Sequence, residues 1–222
     1  GYDSRLLNYF VKNKSRIRSF TYGISKFQND SFEVVHAKRI SEIFNTQWRC
    51  IPLTNFHDYI NDWFKLYGFS THLHGMYHVE FYKKILAKHN FISPSFLSGI
   101  IGDAWAEASK FKTVDSVAEV SKLAYSHGMC MSSQFFSFTE DKEDEQVFYE
   151  KFKNHLKSDR IKAVMAMRLK LQLISYLTQV PEYFGLPVWT PFLNFNLVKA
   201  TLNLPDSRRI NRVWQRDFFS KV

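Results

Sequence analysis

Two short loops carry the residues best suited to chemistry. The chain opens Gly1-Tyr2-Asp3-Ser4-Arg5, and a later stretch reads Ser98-Gly99-Ile100-Ile101-Gly102-Asp103. A Gly-x-Asp-Ser turn entering a helix presents backbone N–H groups to phosphate oxygens. A carboxylate beside them, Asp3, suits Mg²⁺, a hard cation that takes few protein ligands and leaves the rest to phosphate and water. The same residues also make an ordinary helix N-cap, because Asp and Ser bond the first free amides of a helix. The opening alone leaves both readings standing. The second loop follows an apolar run and brings another carboxylate, Asp103, in the same setting, which favours phosphate.

Other clusters have plainer explanations beside the chemical one. His72-Leu73-His74-Gly75-Met76-Tyr77-His78 places His74 and His78 four apart, a spacing that zinc ligands use on a helix. Glu80 is the only acidic residue at supportive spacing and Gly75 weakens a helix there, so core histidines or a substrate contact are the better expectation. Trp105 and Glu107 read as packing and helix-face residues. The run Glu140-Asp141-Lys142-Glu143-Asp144-Glu145 reads as a solvated helix start, where negative charge meets the positive end of the helix dipole. Lys12, Lys14, Arg16 and Arg18 alternate as a basic strand entry, either solvated or an anion site.

The elements that must position the two loops follow from periodicity. Leu6, Leu7, Phe10 and Val11 predict a helix over 4–13. Alternation over 16–22 predicts a strand ending at Gly23. Asp30-Ser31 caps a helix carrying Val34, Val35, Ala37, Ile40, Ile43 and Phe44, and Gln47–Leu53 is the next strand. Helices are expected over 56–67 and 73–89, with a short strand Phe91–Leu97 running into the second glycine loop. Helices over 104–125, 145–157 and 160–179 follow a similar logic, with Ser132–Phe138 as a connector. Pro181, Gly185, Pro187 and Pro191 break the chain into loops. Strands alternating with helices predict a parallel α/β sheet, whose ligands sit beyond the carboxyl ends of the strands. Both glycine-acid loops, and Tyr22-Gly23, occupy that position.

Composition bounds the class. At 222 residues, 45% hydrophobic and 23% charged, the chain can bury a sizeable core. Its apolar runs fall short of the ~20 residues a membrane span needs, and no N-terminal stretch has the make-up of a signal peptide. Cys50 and Cys130 lack metal-type spacing and read as buried thiols, so a cytoplasmic setting is expected. A net charge of +9 favours an anionic partner without naming it. The dispersed Lys and Arg announce no continuous nucleic-acid face, so nucleic acid and membrane are not expected partners.

Taken together, these residues resemble the synthetase domain of the asparagine synthetase family, one of the ATP pyrophosphatases. That family opens with Ser-Gly-Gly-x-Asp-Ser, and Gly1-Tyr2-Asp3-Ser4 is similar to its last four positions. Phe20-Thr21-Tyr22-Gly23, followed by Glu33 and Ala37-Lys38-Arg39-Ile40, is similar to the strand end that lines the family's adenine pocket. Leu97-Ser98-Gly99 with Asp103 resembles its Ser-Gly-x-Gly-x-Asp-Glu loop. Thr190-Pro191-Phe192-Leu193-Asn194, with Leu197, Val198 and Leu204-Pro205, resembles Val-Pro-Phe-Leu-Asp and its helix.

The resemblance implies a parallel-sheet, adenine-nucleotide α-hydrolase-like (PP-loop) domain with a largely helical C-terminal half. Residues 1–125 would form the nucleotide-binding core and 126–222 the helical remainder. It implies ATP and Mg²⁺ as cofactors, a small-molecule carboxylate substrate, and an amine or ammonia donor. ATP would adenylate the carboxylate with release of pyrophosphate, and the amine would displace AMP. Gly1 and Ser4 would cradle pyrophosphate, Asp3 and Asp103 would hold the metal, and Tyr22, Gly23, Ser98 and Gly99 would surround the nucleoside. No residue emerges as catalytic acid, base or nucleophile.

The departures are specific. Ile100 replaces the acidic residue after Ser-Gly, Ile101 the second glycine, Ala104 the Glu after the metal Asp, and Asn194 the Asp of Pro-Phe-Leu-Asp. Arg212, Arg216 and Lys221 are the only late cations where the family has a lysine. The family's first strand, central in the sheet, and its glutaminase domain with a leading Cys would both lie upstream of Gly1, so a fragment of a longer protein is expected. Two alternatives remain: a nucleotide-binding relative with weakened ligase activity, and an RNA-modifying ATP pyrophosphatase.

Overall fold

The computed structural model describes residues 1–68, 73, 75–106, 113–123 and 142–221. The elements in chain order are α1 (Tyr2–Phe10), β1 (Arg18–Thr21), α2 (Phe32–Phe44), β2 (Gln47–Cys50), α3 (Ile60–Tyr67), α4 (Tyr77–Lys88), β3 (Phe96–Leu97) and α5 (Gly102–Ala106). They continue with α6 (Lys142–Phe152), α7 (Asp159–Ile174), α8 (Tyr176–Tyr183), β4 (Val188–Trp189), α9 (Phe195–Leu202), α10 (Asp206–Arg209) and α11 (Val213–Ser220). The protein is mixed α/β and mostly helical. Among the described residues no helix is long and apolar enough to cross a membrane.

The chain forms two compact units, Gly1–Ile100 with Ser175–Pro191, and Ile101–Ile174 with Phe192–Val222. The boundary expected at 125/126 falls outside the described residues.

The four strands among the described residues all lie in the first unit. β1 pairs β2 in parallel, with Arg18 opposite Gln47 and Thr21 opposite Cys50. Parallel neighbours need a crossover, and α2 supplies it. That helix ends where Asn45 turns left-handed at φ 51° and the Thr46 amide reaches back to the Ser41 carbonyl at 2.9 Å. β3 pairs β4 in parallel, Phe96 opposite Val188 and Leu97 opposite Trp189. The result is two separate two-stranded ladders. Their hydrophobic core gathers Trp63, Val79, Tyr82, Ile85, Tyr176 and Val180, with Phe20 and Phe96 packed against it.

Several elements differ from the sequence expectation for identifiable reasons. The strand expected from Phe91 starts only at Phe96, because Ser93 is left-handed at φ 46° and Pro94 offers no ladder N–H. β4 forms in the proline-rich stretch expected to be loop. Pro187 needs only its carbonyl there, which accepts from the Phe96 amide at 2.8 Å. Pro181, expected to end a helix, lies inside the last turns of α8. The helix expected from residue 73 starts at Tyr77, after Gly75 at φ 105°. The helix expected over 104–125 is represented by α5 and a 3₁₀ segment, Val117–Leu123.

The second unit is helical. Val114, Val120, Leu123 and Leu156 form its core with Phe148, Tyr149, Phe152 and Met165. The buried Trp105 of α5 donates from its indole N–H to the Phe192 carbonyl at 2.8 Å, tying that helix to the turn before α9. Asn194, where the resemblance expects Asp, caps α9 by accepting from the Asn196 and Leu197 amides. An amide oxygen serves a cap as well as a carboxylate does.

Candidate functional site

In the opening loop, Gly1 occupies the cap position of α1 and is exposed, and no side chain caps that helix. Asp3 lies in the first turn, where its negative charge suits the helix dipole, and is 8% exposed. Ser4 is exposed. The ordinary-cap reading of Asp3 and Ser4 therefore does not hold, since both lie inside the helix rather than at its cap.

The second loop starts directly from the β3–β4 ladder. The Ser98 amide donates to the Trp189 carbonyl at 2.9 Å, and the buried Ser98 hydroxyl oxygen accepts from the Ile100 amide at 3.2 Å, folding the chain into a tight turn. Gly99 then passes hard against the opening loop. A β-carbon on it would lie 3.3 Å from the Ser4 amide nitrogen and 3.4 Å from both Asp3 Cβ and Ser4 Oγ. Glycine permits this approach of one backbone to another. Gly99 and the opening residues Asp3 and Ser4 are thus adjacent within the first unit.

The third strand-end pair is built differently. Tyr22 turns its ring inward against Tyr77 at 5.3 Å and Phe81 at 5.1 Å. Burial, reinforced by Tyr77, pushes its phenol far above the usual range, so it stays neutral. Gly23 is buried, and any β-carbon there would collide with the Gln28 carbonyl and the Ser31 hydroxyl. Its close approach is to its own loop.

That loop is fastened to the one after β2. The Gln28 side chain donates to the Leu53 carbonyl at 2.5 Å and accepts from the Leu53 amide at 2.8 Å, imitating a strand neighbour. Glu33 accepts from the Ile24 amide at 2.7 Å. Glu80 is buried and binds Thr54, Asn55 and Lys84. It clamps a loop rather than ligating metal. Gln28 is silent in the sequence, because one Gln in a polar stretch carries no signal of a partner on another loop.

His78 is buried, with its ring 5.9 Å from Tyr22 and 5.4 Å from Tyr176, a core position. His72, His74, Glu107 and Cys130 lie outside the described residues. Cys50 is a half-buried free thiol whose burial pushes its pKa up, making it a poor nucleophile.

Asp103 belongs to the second unit, in the first turn of α5, and is exposed. Its carboxylate lies 3.9 Å from the Arg212 guanidinium, one of the late cations noted in the sequence. Ile101, which stands where the resembling family has glycine, is left-handed at φ 56°. No group of three or more His, Cys, Asp or Glu side chains positioned for a metal occurs among the described residues. Carboxylates such as Asp3 and Asp103 offer the hard oxygen donors that Mg²⁺ takes one or two at a time.

Comparison with family models, with curated proteins and with solved structures returned no match to this chain.

Proposed function

We propose that the chain is the synthetase part of an ATP-dependent, AMP-forming amide ligase of asparagine synthetase type. The observation that carries this reading is the packing of Gly99 against Asp3 and Ser4. Gly99, far from the opening in sequence, comes against Asp3 and Ser4 where the first helix amides begin. Such a place suits a phosphate chain, because amides at a helix start carry partial positive charge.

The reaction would start with attack of a substrate carboxylate oxygen on the α-phosphorus of ATP. The bond to the β-phosphate oxygen breaks and pyrophosphate departs. An amine nitrogen then attacks the acyl carbon, loses a proton and expels AMP. Gly1 and the amides of the first turn of α1 would hold the leaving pyrophosphate, with Ser4 adding its hydroxyl. Tyr22 and Gly23 would border the adenine through their backbone, since the Tyr22 ring lies in the core. Ser98 and Gly99 would border the ribose. Asp3 and Asp103 are the candidate Mg²⁺ ligands, and the metal when bound supplies charge neutralisation for the leaving group.

The accompanying fold reading is a PP-loop sheet with a further parallel strand between β1 and β3, joining the two ladders. Both ladders are parallel, both belong to one compact unit, and β1 and β3 each have a single ladder partner among the described residues.

Mg-ATP titration calorimetry on this chain, and on one extended upstream of Gly1, tests the reading. Binding that disappears with Asp3→Ala supports it, and no binding in either form overturns it. A second reading, a nucleotide-binding relative without ligation, draws support from the nearness of Arg212 to Asp103 and from Ala104. Mg-ATP binding without pyrophosphate release on any carboxylate would favour that second reading.

A further inference from the structure

The opposite end of β1 and β2 holds a second concentration of chemistry. Side chains on a strand alternate between faces, so Arg18 and Phe20 share one face of β1. The register sets Gln47 and Arg49 opposite them, on the same face of β2. His89, the residue that ends α4, lies over this face with its ring 5.1 Å from Phe20. The Arg18 guanidinium lies 5.5 Å from the centre of the Phe91 ring, which holds it in place. Arg18, Phe20, Gln47, Arg49 and His89, with Ser19 and Trp48 between them on the strands, line a cavity of about 190 Å³.

Its electrostatics are one-sided. Among the described residues no carboxylate lines the cavity, and neither Arg18 nor Arg49 forms an ion pair. Lys88 adds a third cation beside His89. Burial, and then Arg49, Arg18 and Lys88 in that order, hold the His89 imidazole below its ordinary pKa. His89 Nε2 is buried and has no hydrogen-bond partner among the described residues. Like charges gathered around an unsatisfied buried polar atom destabilise a fold unless an anion joins them.

We propose that this cavity is a phosphate-binding site in which Arg18 and Arg49 supply charge and His89 Nε2 donates a hydrogen bond. A phosphate group matches the donor set: it accepts from several directions at once and pairs well with guanidinium groups. The cavity is small, so the ligand is inorganic phosphate or the phosphate of a small ester. The site is separate from the loops at Gly1, Tyr22 and Ser98, since Arg18 and Gln47 are the first residues of their strands. Titratable and charged groups facing His89 come from β1 (Arg18), β2 (Arg49) and α4 (Lys88), all cationic. An anion between them raises the His89 pKa.

Imidazole NMR reads this directly. The His89 resonance is assigned by its loss in His89→Asn and titrated against pH in chloride, in inorganic phosphate and in ribose 5-phosphate, at one ionic strength. Phosphate is expected to raise the His89 pKa by about one unit relative to chloride. Equal shifts with both phosphate probes identify an ester as ligand, and a shift with inorganic phosphate alone identifies the free ion. Arg49→Gln, at an exposed position, is expected to leave thermal melting unchanged, to raise the His89 pKa in chloride and to remove most of the phosphate effect. A phosphate shift no larger than that of chloride overturns the proposal, as does a full shift in an Arg18→Gln, Arg49→Gln double variant.

Discussion

Glu80 grips Thr54 by both of its donors, the amide at 2.8 Å and the hydroxyl at 2.9 Å, from a position only 1% exposed. The same oxygen takes the Lys84 ammonium at 2.5 Å, and Lys84 also donates to the Pro52 carbonyl. One carboxylate thus fixes the chain as it leaves β2. Burial alone would raise the Glu80 pKa, but Lys84 and the Thr54 and Asn55 donors outweigh it, leaving the group below its ordinary value of 4.5. Glu80→Ala removes the shared acceptor of the exposed Thr54 and Asn55 and the partly exposed Lys84, and is expected to cost about 1–3 kcal/mol of unfolding free energy. A depressed folded pKa means the contribution is present above the unfolded pKa and lost as pH falls through the folded one. Urea unfolding of wild type and Glu80→Gln should therefore differ at neutral pH, with the gap closing as pH drops below the ordinary glutamate range. A constant gap would mean that charge is not what holds the loop.

Gly99 and Gly1 offer a matched contrast. A β-carbon at Gly99 meets the Ser4 backbone at 3.3 Å, whereas one at Gly1 meets nothing within 4 Å. Gly99→Ala forces backbone apart and is expected to cost about 1–2 kcal/mol, while Gly1→Ala costs far less. If the two loops hold a nucleotide phosphate chain, Gly99→Ala also weakens Mg-ATP binding at least about tenfold, a loss worth roughly 1.4 kcal/mol. Chemical unfolding and calorimetry on both variants check the two effects separately. Equal stability of the two variants would disprove the close approach.

Asp103 separates stability from ligand binding. It is exposed, and its ion pair with Arg212 spans 3.9 Å, so it contributes less than about 1 kcal/mol to the fold. Asp103→Asn should leave the melting temperature nearly unchanged yet weaken Mg²⁺-dependent nucleotide binding. Arg212→Gln should not reduce Mg²⁺ affinity, because it removes a competing cation. A large drop in melting for Asp103→Asn would instead mark a structural role.

Local patterns made the first unit readable, and distant pairings limited the rest. α2 and the start of β2 were legible because apolar spacing, the Asp30-Ser31 start and the Asn45 stop agree. β4 was not, since two residues between prolines carry no period and the strand exists only through β3. The adjacency of Gly99 to Ser4 is a consequence of chain packing that no single loop encodes. The candidate carboxylates were legible as residue types in glycine-acid loops. The inward turn of Tyr22 was not, because an aromatic residue at a strand end is equally suited to a ligand and to a core.

Ile101 holds a conformation that its own side chain disfavours. At φ 56° a β-branched residue crowds its backbone, costing about 1–2 kcal/mol. The side chain is 7% exposed, and burying it contributes roughly 2–3 kcal/mol in return. The two terms predict an inverted order for two replacements. Ile101→Ala loses most of the burial and keeps most of the strain. Ile101→Gly loses the same burial but relieves the strain, since glycine reaches positive φ freely. Ile101→Gly should therefore be the more stable of the two by about 1 kcal/mol, the reverse of their order in an ordinary helix or strand. Urea midpoints of the two variants, compared at equal m-value, decide the matter. An alanine variant as stable as the glycine variant would show that residue 101 has left the positive-φ region.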